Sequence, residues 1–168
     1  MTATVYVWML TPSNVGHVSI QVDAMYMSYW PSQAAGKKDF KIGQTHDPAF
    51  PSSYKVDKRL ENKDCDQQLI IKGLNETLML DTWLEFKANP DRYNMVSQNC
   101  STVVAWLLEI GSGLSPTVDK GVEIDQWAPN NLMRFVLKLR YLGNHIDMWT
   151  PDAAFNYALQ VKGYLEGQ

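Results

Sequence analysis

Cysteine is scarce in this sequence. Only Cys65 and Cys100 occur among 168 residues, and Cys65 lies in the charged stretch NKDCDQQ. Scaffolds that depend on disulfides carry many more cysteines for their length. The sequence therefore argues against a disulfide framework and predicts that both thiols are reduced.

A basic leader and a long apolar run are also missing. The N-terminal stretch MTATVYVWMLTPSN contains one short apolar run and no lysine or arginine. A membrane-spanning helix needs roughly 20 apolar residues, and a secretory signal needs a basic start and a longer apolar segment. We expect no signal peptide and no integral membrane segment. A soluble protein follows, either cytoplasmic or exported by a dedicated secretion system.

Neither sign of charge is in large excess. The chain has 15 Lys and Arg residues against 18 Asp and Glu residues, for a net charge of −3. This balance offers no overall electrostatic attraction for nucleic acid or anionic lipid. The length and the 45% hydrophobic content suffice for one core. We predict a single domain over residues 1–168, with nucleic acid excluded as the main partner.

Strand patterns dominate the first third of the chain. ATVYVWML predicts a buried strand, HVSIQVD alternates strictly between apolar and polar residues, and MYMSYWP follows after almost no loop. The last two stretches predict a hairpin that turns at Asp23 and Ala24. QLIIKGL, further along, predicts a fourth strand.

Residues 32–66 have a polar composition without sustained periodicity. A long insertion of this kind in a compact domain is typical of a lid, a binding loop or a mobile segment. We expect it to carry substrate choice.

Four helices are predicted after the insertion. Asn75 caps one with an apolar stripe through Leu78, Trp83 and Phe86, and Asn99 caps another that ends at Gly111. APNNLMRFVLKLRYLG forms a third, and TPDAAFNYALQVKGYL forms a fourth with a threonine cap. Strands followed by helices predict an α+β domain, in which a small antiparallel sheet packs against helices.

Cys100 stands in the first turn of the helix that Asn99 caps. Val103, Val104 and Leu107 recur at helical spacing, so Cys100 belongs to the inward face. The positive end of a helix dipole stabilises a thiolate, the reactive form of cysteine. A small buried core residue is the alternative, since free cysteine is commonly buried.

Among the histidines, His17 is the candidate base. His46 and His145 fall in stretches that predict solvated loops, whereas His17 opens a strand on the polar face of the hairpin. Pairing Val22 with the residue after the turn places His17 opposite Trp30 and diagonal to Ser28. A diagonal serine is near enough to hold the imidazole in one tautomer. Trp30 would shield the pair from water. The alternatives are that His17 is an exposed strand residue on a water-facing side and that Trp30 serves in ordinary aromatic packing.

These pieces together resemble a known group of enzymes. GHVSIQV, then YMSYWP, then a helix that opens NCSTVVAWLLEIG are similar in order to the circularly permuted papain-like cysteine enzymes. That NlpC-like group includes the lecithin:retinol acyltransferase-like proteins, and the same pieces resemble uncharacterised bacterial toxin and effector domains. The resemblance implies a permuted papain-like fold in which the histidine strand precedes the nucleophile helix.

The resemblance also implies roles. Cys100 would be the nucleophile, His17 the general base, and a polar residue on the next strand the orienting group, which here is Ser28. An aspartate of the insertion, Asp57 or Asp64, would serve instead if that segment folds back. Side-chain donors to the oxyanion, beside the Cys100 N–H, would be Gln98 or Asn99.

Two functions of different classes stay open. The first is a thiol amidase, peptidase or acyltransferase that works through a thioester, without cofactor or metal, on a protein, peptide, peptidoglycan or lipid amide. A bacterial effector or toxin of this kind would have an immunity or chaperone partner. The second is a papain-like binding module whose cysteine is structural. We expect no zinc site, because no pair of histidines and cysteines has the spacing of zinc ligands.

Overall fold

A computed structural model describes residues 2–11, 14–32, 44–128 and 130–167. In chain order, the strands and helices are β1 (Thr2–Trp8), β2 (His17–Val22), β3 (Met25–Met27), β4 (Trp30–Pro31), β5 (Thr45–His46), β6 (Pro48–Ala49), α1 (Tyr54–Glu61), β7 (Gln67–Lys72), α2 (Glu76–Ala88), β8 (Tyr93–Asn94), α3 (Cys100–Ser112), β9 (Val122–Glu123), α4 (Ile124–Trp127), α5 (Asn131–Tyr141), β10 (His145–Ile146) and α6 (Pro151–Glu166).

The main sheet has four antiparallel strands in the order β3-β2-β1-β7. Val22 pairs with Met25 across a turn at Asp23 and Ala24, which confirms the predicted hairpin and its register. Asp23 adopts φ 50°, the left-handed conformation that tight hairpin turns require. The α+β class, with a small antiparallel sheet packed against helices, is confirmed.

Strict alternation along β1 and β2 divides the sheet into two faces. Val5, Val7, Val18 and Ile20 are fully buried and face the main core. Helices α3 and α6 cover this face, and α2 packs against α3. Burying an aliphatic side chain of this size contributes about 1.5–3 kcal/mol, so this face supplies much of the stability of the fold.

The opposite face, which carries His17 and Ser19, is also buried, because α1 lies near it. This corrects the prediction that residues 32–66 form an insertion without regular structure. The described part of the segment contains β5, β6 and α1, while residues 33–43 lie outside the described residues. Periodicity missed α1 because its buried side chains are the carboxylates Asp57 and Glu61.

Two details of the predicted helices were wrong. Leu78 is exposed, and the inward face of α2 uses Met79 with Trp83 and Phe86. Helix α3 continues past Gly111, ends at Ser112 and has Gly113 at φ 68° as its C-cap. A side chain at Gly111 would strike Met79, so that glycine permits α2 to approach α3 closely.

A second, smaller core lies beside the first. It is built from β9, α4, α5 and β10, and α4 was not predicted from the sequence. Its buried members are Val122, Ile124, Ala128, Leu137, Ile146 and Met148.

Across the described parts of the chain, no helix is both long enough and apolar enough to cross a bilayer.

Candidate active site around Cys100

Cys100 is the first residue of α3 and is 6% exposed. Helix α3 begins with a capping box, in which the Asn99 side chain accepts from the Thr102 N–H at 2.9 Å and Thr102 Oγ1 accepts from the Asn99 N–H at 3.4 Å. This reciprocal cap fixes the helix start and leaves the Cys100 thiol at the positive end of the helix dipole.

His17 opens β2 directly after a tight turn. Gly16 has φ 71°, and a side chain there would strike the Trp8 carbonyl, so only glycine fits. The Gly16 N–H donates to Asn14 Oδ1, and Asn14 in turn donates to Glu61 of α1 at 2.9 Å. The turn and α1 therefore hold the start of the strand in place, and His17 is 2% exposed.

Asp57 of α1 is the acidic partner of His17. Its Oδ2 atom lies 3.0 Å from His17 Nε2, and the carboxylate is fully buried. Ser28 Oγ also lies 3.1 Å from Nε2, as the hairpin register predicted, but Ser28 donates its hydrogen to Asp57 at 2.8 Å. Of the two aspartates considered from the sequence, Asp57 reaches the histidine, whereas Asp64 is exposed and bonds Tyr54 and Lys58.

Three donors besides the histidine satisfy the Asp57 carboxylate. Trp30 Nε1 donates to Oδ1 at 2.9 Å, while the Tyr26 hydroxyl at 2.7 Å and Ser28 Oγ donate to Oδ2. Tyr26 is itself held by Ser19 at 2.6 Å. A buried carboxylate stays ionised when hydrogen bonds replace its lost water, so these contacts keep a negative charge beside His17.

Trp30 packs on the histidine as well. The two ring centroids are 4.4 Å apart, and Trp30 is buried. The indole therefore separates the His17 and Asp57 pair from bulk water on that side, which strengthens the attraction between their charges.

The charges of the three groups support one another. Burial opposes the imidazolium, but the Asp57 charge, the Cys100 charge and hydrogen bonds to both raise the pKa of His17 to about 9. Burial raises the pKa of the Cys100 thiol, yet the His17 charge and the hydrogen bond from His17 bring it below its ordinary value. Burial likewise raises the pKa of Asp57, but the His17 charge and hydrogen bonds lower it overall. The arrangement favours a thiolate, an imidazolium and a carboxylate in one row.

The thiol has two further neighbours. The Val18 backbone N–H and the Ser101 hydroxyl, 3.9 Å from Cys100 Sγ, also lower the pKa of the thiol. Asp57, Ser28 and Trp30 surround His17 Nε2. The same side chain also lowers the pKa of the thiol, so His17 interacts with both the acid and the nucleophile.

Tyr93 is a site residue that sequence reasoning missed. Burial and the Cys100 charge raise the pKa of its hydroxyl well above the ordinary value, and Tyr93 lines the same small cavity as Cys100. A hydroxyl beside a nucleophile is placed to donate to an oxyanion. Tyr93 follows a proline-containing loop without periodicity, and Tyr26 was equally unmarked as a partner of Asp57.

Asn99 and Gln98, the side chains predicted to donate to the oxyanion, make other contacts in the structure. Both donor contacts of the Asn99 amide go to backbone carbonyls, Met95 O at 2.7 Å and Trp149 O at 2.8 Å. Asn99 is therefore a cap and a brace between two loops, and its amide hydrogens are engaged by these carbonyls in this structure. The Gln98 side chain lines a separate cavity of about 290 Å³ with Phe86 and Trp106.

Little space lies above the thiol. The cavity that Cys100 lines has a volume of about 20 Å³, enough for about one water. Leu10 and Thr150 line both this cavity and a neighbouring one of about 510 Å³. The Leu10 N–H donates to Asp152 at 3.1 Å, which ties the segment after β1 to the start of α6. A substrate can therefore reach Cys100 only if residues that line the small cavity, such as Leu10, move apart.

The remaining histidines and Cys65 make other contacts. His145 is exposed in β10 and bonds Glu123 at 3.0 Å, whereas His46 of β5 pairs with Tyr93 of β8 at the edge of the site. Cys65 contacts the Tyr54 hydroxyl. Within the described ranges, no three His, Cys, Asp or Glu side chains are grouped so that they could hold a metal ion.

A known family matches part of the chain. The model of the IcsB middle domain matches residues 57–147, more than half of the chain. The matched segment begins at Asp57 and contains Tyr93 and Cys100, while His17 precedes it. No curated protein and no solved structure matches the chain.

Proposed function

This chain belongs to the IcsB middle domain family, which is related to bacterial effectors, and we propose that it is a cysteine-dependent hydrolase or acyltransferase acting on an amide or ester. The observation that carries the proposal is the buried row of Cys100, His17 and Asp57. Its mutual charges favour a thiolate, which is the nucleophilic form of cysteine.

In the proposed reaction, the Cys100 thiolate attacks the substrate carbonyl carbon and forms an S–C bond, and the carbonyl oxygen becomes an oxyanion. The imidazolium of His17 then gives its proton to the departing amine or alcohol as the old bond breaks, which leaves a thioester. Water or another nucleophile attacks the thioester while His17 accepts its proton, and the thiolate leaves. Atoms and charge balance without a cofactor.

The neighbouring residues have supporting roles in this proposal. Asp57 positions His17 and stabilises its charged form, while Ser28 and Tyr26 hold Asp57. The Cys100 N–H and the Tyr93 hydroxyl stabilise the oxyanion.

The finer biological setting is part of the same proposal. The histidine strand precedes the cysteine helix, which is consistent with a permuted papain-like enzyme. A bacterial effector or toxin with such a site would act on a protein, peptide, peptidoglycan or lipid amide, leave the cell by a dedicated secretion system, and have an immunity or chaperone partner. These assignments depend on the family and on the sequence resemblance.

One observation favours a second candidate, a non-catalytic papain-like binding module with a structural cysteine. Cys100 is 6% exposed below a cavity for about one water, so the closed conformation admits no substrate. A catalytic Cys100 must become accessible through motion of residues that line its cavity, such as Leu10. A structural cysteine needs no such access.

Alkylation with iodoacetamide separates the two candidates. In a Cys65→Ser background, each label reports Cys100 alone. We expect rapid labelling at pH 7 and a rate about 30-fold lower in His17→Ala, since an unassisted thiol with a pKa near 8.5 is only a few per cent ionised there. His145→Ala, which removes an exposed histidine, is the matched control and should change nothing. A thiol that stays inert in both the parent and His17→Ala would support the binding module.

A further inference from the structure

Helix α5 turns its apolar side outward. Leu132, Phe135, Val136 and Leu139 are 52–74% exposed, and Leu142, which follows the helix, is 93% exposed. The four helical residues recur at i, i+3, i+4 and i+7, so they share one face, which together with Leu142 we call the α5 outer face. Leu137, on the other side, is buried in the small core.

Basic residues border this face on both sides. At about 100° per residue, Lys138 and Arg140 fall on its two edges, and Arg134 lies farther round the helix. No acidic residue occurs between Asn130 and Asn144, so the segment carries three positive charges in a chain of net charge −3. Lys138 forms a salt bridge with Asp125 at 2.8 Å, and Arg134 donates to the Ala128 carbonyl at 3.2 Å. With Asp125 counted against the three cations, this part of the surface keeps an excess of two positive charges, whereas the chain as a whole is negative.

An outward apolar stripe with a lysine at one edge and an arginine at the other suits the boundary between water and a bilayer. There the apolar side chains enter the acyl region, and lysine and arginine reach back to anionic headgroups. We propose that the α5 outer face docks the protein on an anionic lipid surface. We assign anionic lipid as the partner because of charge complementarity. Headgroup phosphates and carboxylates can form ion pairs with the cations at the two edges of the stripe.

The small core lies between the α5 outer face and the Cys100 cavity. Leu137 of α5 packs in the same small core as Met148, and Met148 lines the Cys100 cavity. The small core therefore separates the lipid surface from the cavity that Cys100 lines. Lipid binding itself needs no chemistry at Cys100 and does not depend on the proposed enzymatic activity.

Vesicle flotation of the full chain tests the proposal. We expect binding to phosphatidylcholine vesicles that contain about one-third phosphatidylserine, weaker binding at high salt, and little binding to phosphatidylcholine alone. Leu139→Asp should weaken binding to the anionic vesicles at least about tenfold. The matched control is Leu84→Asp, which alters a half-exposed leucine on α2 and should bind as the parent does.

Charge and site variants complete the experiment. Arg140→Glu should reduce the preference for anionic over neutral vesicles, and this variant carries the test if Leu139→Asp fails to fold by circular dichroism. Cys100→Ala should float like the parent, which separates lipid docking from catalysis. Parent protein that does not float, or Leu139→Asp that floats equally well, would overturn the proposal. It would also fail if the parent dimerises without binding vesicles and Leu139→Asp is monomeric, since the face would then join two copies.

Discussion

Replacing Asp57 by asparagine removes one charge from the centre of the site and leaves its shape nearly unchanged. Asp57 is the first of the influences that raise the pKa of His17 from 6.5 to about 9. At about 1.4 kcal/mol per pH unit, that difference corresponds to roughly 3 kcal/mol in favour of the charged imidazole. Asp57→Asn should remove the first of these influences while burial continues to oppose the charge, so the pKa of His17 should fall.

The sign of the pH dependence follows from the direction of each pKa change. Because the folded pKa of His17 is raised, its stabilising charge is fully present below pH 6.5 and is lost as the pH rises through about 9. In Asp57→Asn, His17 should lose its positive charge at a lower pH than in the parent protein. The thiolate of Cys100 then loses its cationic partner near neutrality, and its pKa should return towards the ordinary value.

Iodoacetamide labelling at pH 6, in the Cys65→Ser background, measures this change directly. A thiol with a pKa near 8.5 is only about 0.3% ionised at pH 6, so labelling in Asp57→Asn should fall by between about tenfold and about 300-fold. Asp64→Asn is the matched control, since it neutralises an exposed aspartate in the same part of the chain. Equal labelling of Asp57→Asn and its parent at pH 6, with both folded, would refute the role given to Asp57.

Two further predictions concern the oxyanion and the helix cap. Tyr93→Phe should lower kcat for p-nitrophenyl acetate by about 10²-fold, as expected for one oxyanion donor. Alkylation forms no oxyanion, so its rate should fall much less, by the amount that the hydroxyl contributes to the thiolate. Tyr164→Phe is the exposed control, and equal losses in both assays would contradict the role. Asn99→Ala should lower the free energy of unfolding by about 2–3 kcal/mol, seen as a lower Tm, because it removes a cap and two bonds to carbonyls. Asn75→Ala, which removes the cap of α2, should cost about 1 kcal/mol, and equal losses would show that the brace contributes nothing.

Local rules explain why part of the site was predictable. A two-residue turn fixes the register of a hairpin, so the position of Ser28 beside His17 followed from the sequence spacing. The start of α3 followed equally from a side-chain cap, because Asn99 bonds within its own helical turn. Both features depend on residues close together in the chain.

Asp57 could not be singled out by the same rules. Its contact with His17 spans 40 positions along the chain, and the face that α1 buries is acidic. Hydrophobic periodicity marks a buried face only when that face is apolar, so α1 was taken for part of an irregular insertion. Tyr93 was not predicted for a related reason. It lies in the two-residue strand β8, which is too short to show the alternation of apolar and polar residues that marks a strand.

The row of His17, Asp57 and Cys100 also makes thiol reactivity a property of the folded state. The three residues come from β2, α1 and α3, and none of them is adjacent to another in the chain. In an extended chain, Cys100 is an ordinary thiol that is mostly protonated at neutral pH. A protein that passes unfolded through a narrow channel would therefore carry a protonated, unreactive thiol. The thiolate would form only after refolding, when α1 packs against the hairpin.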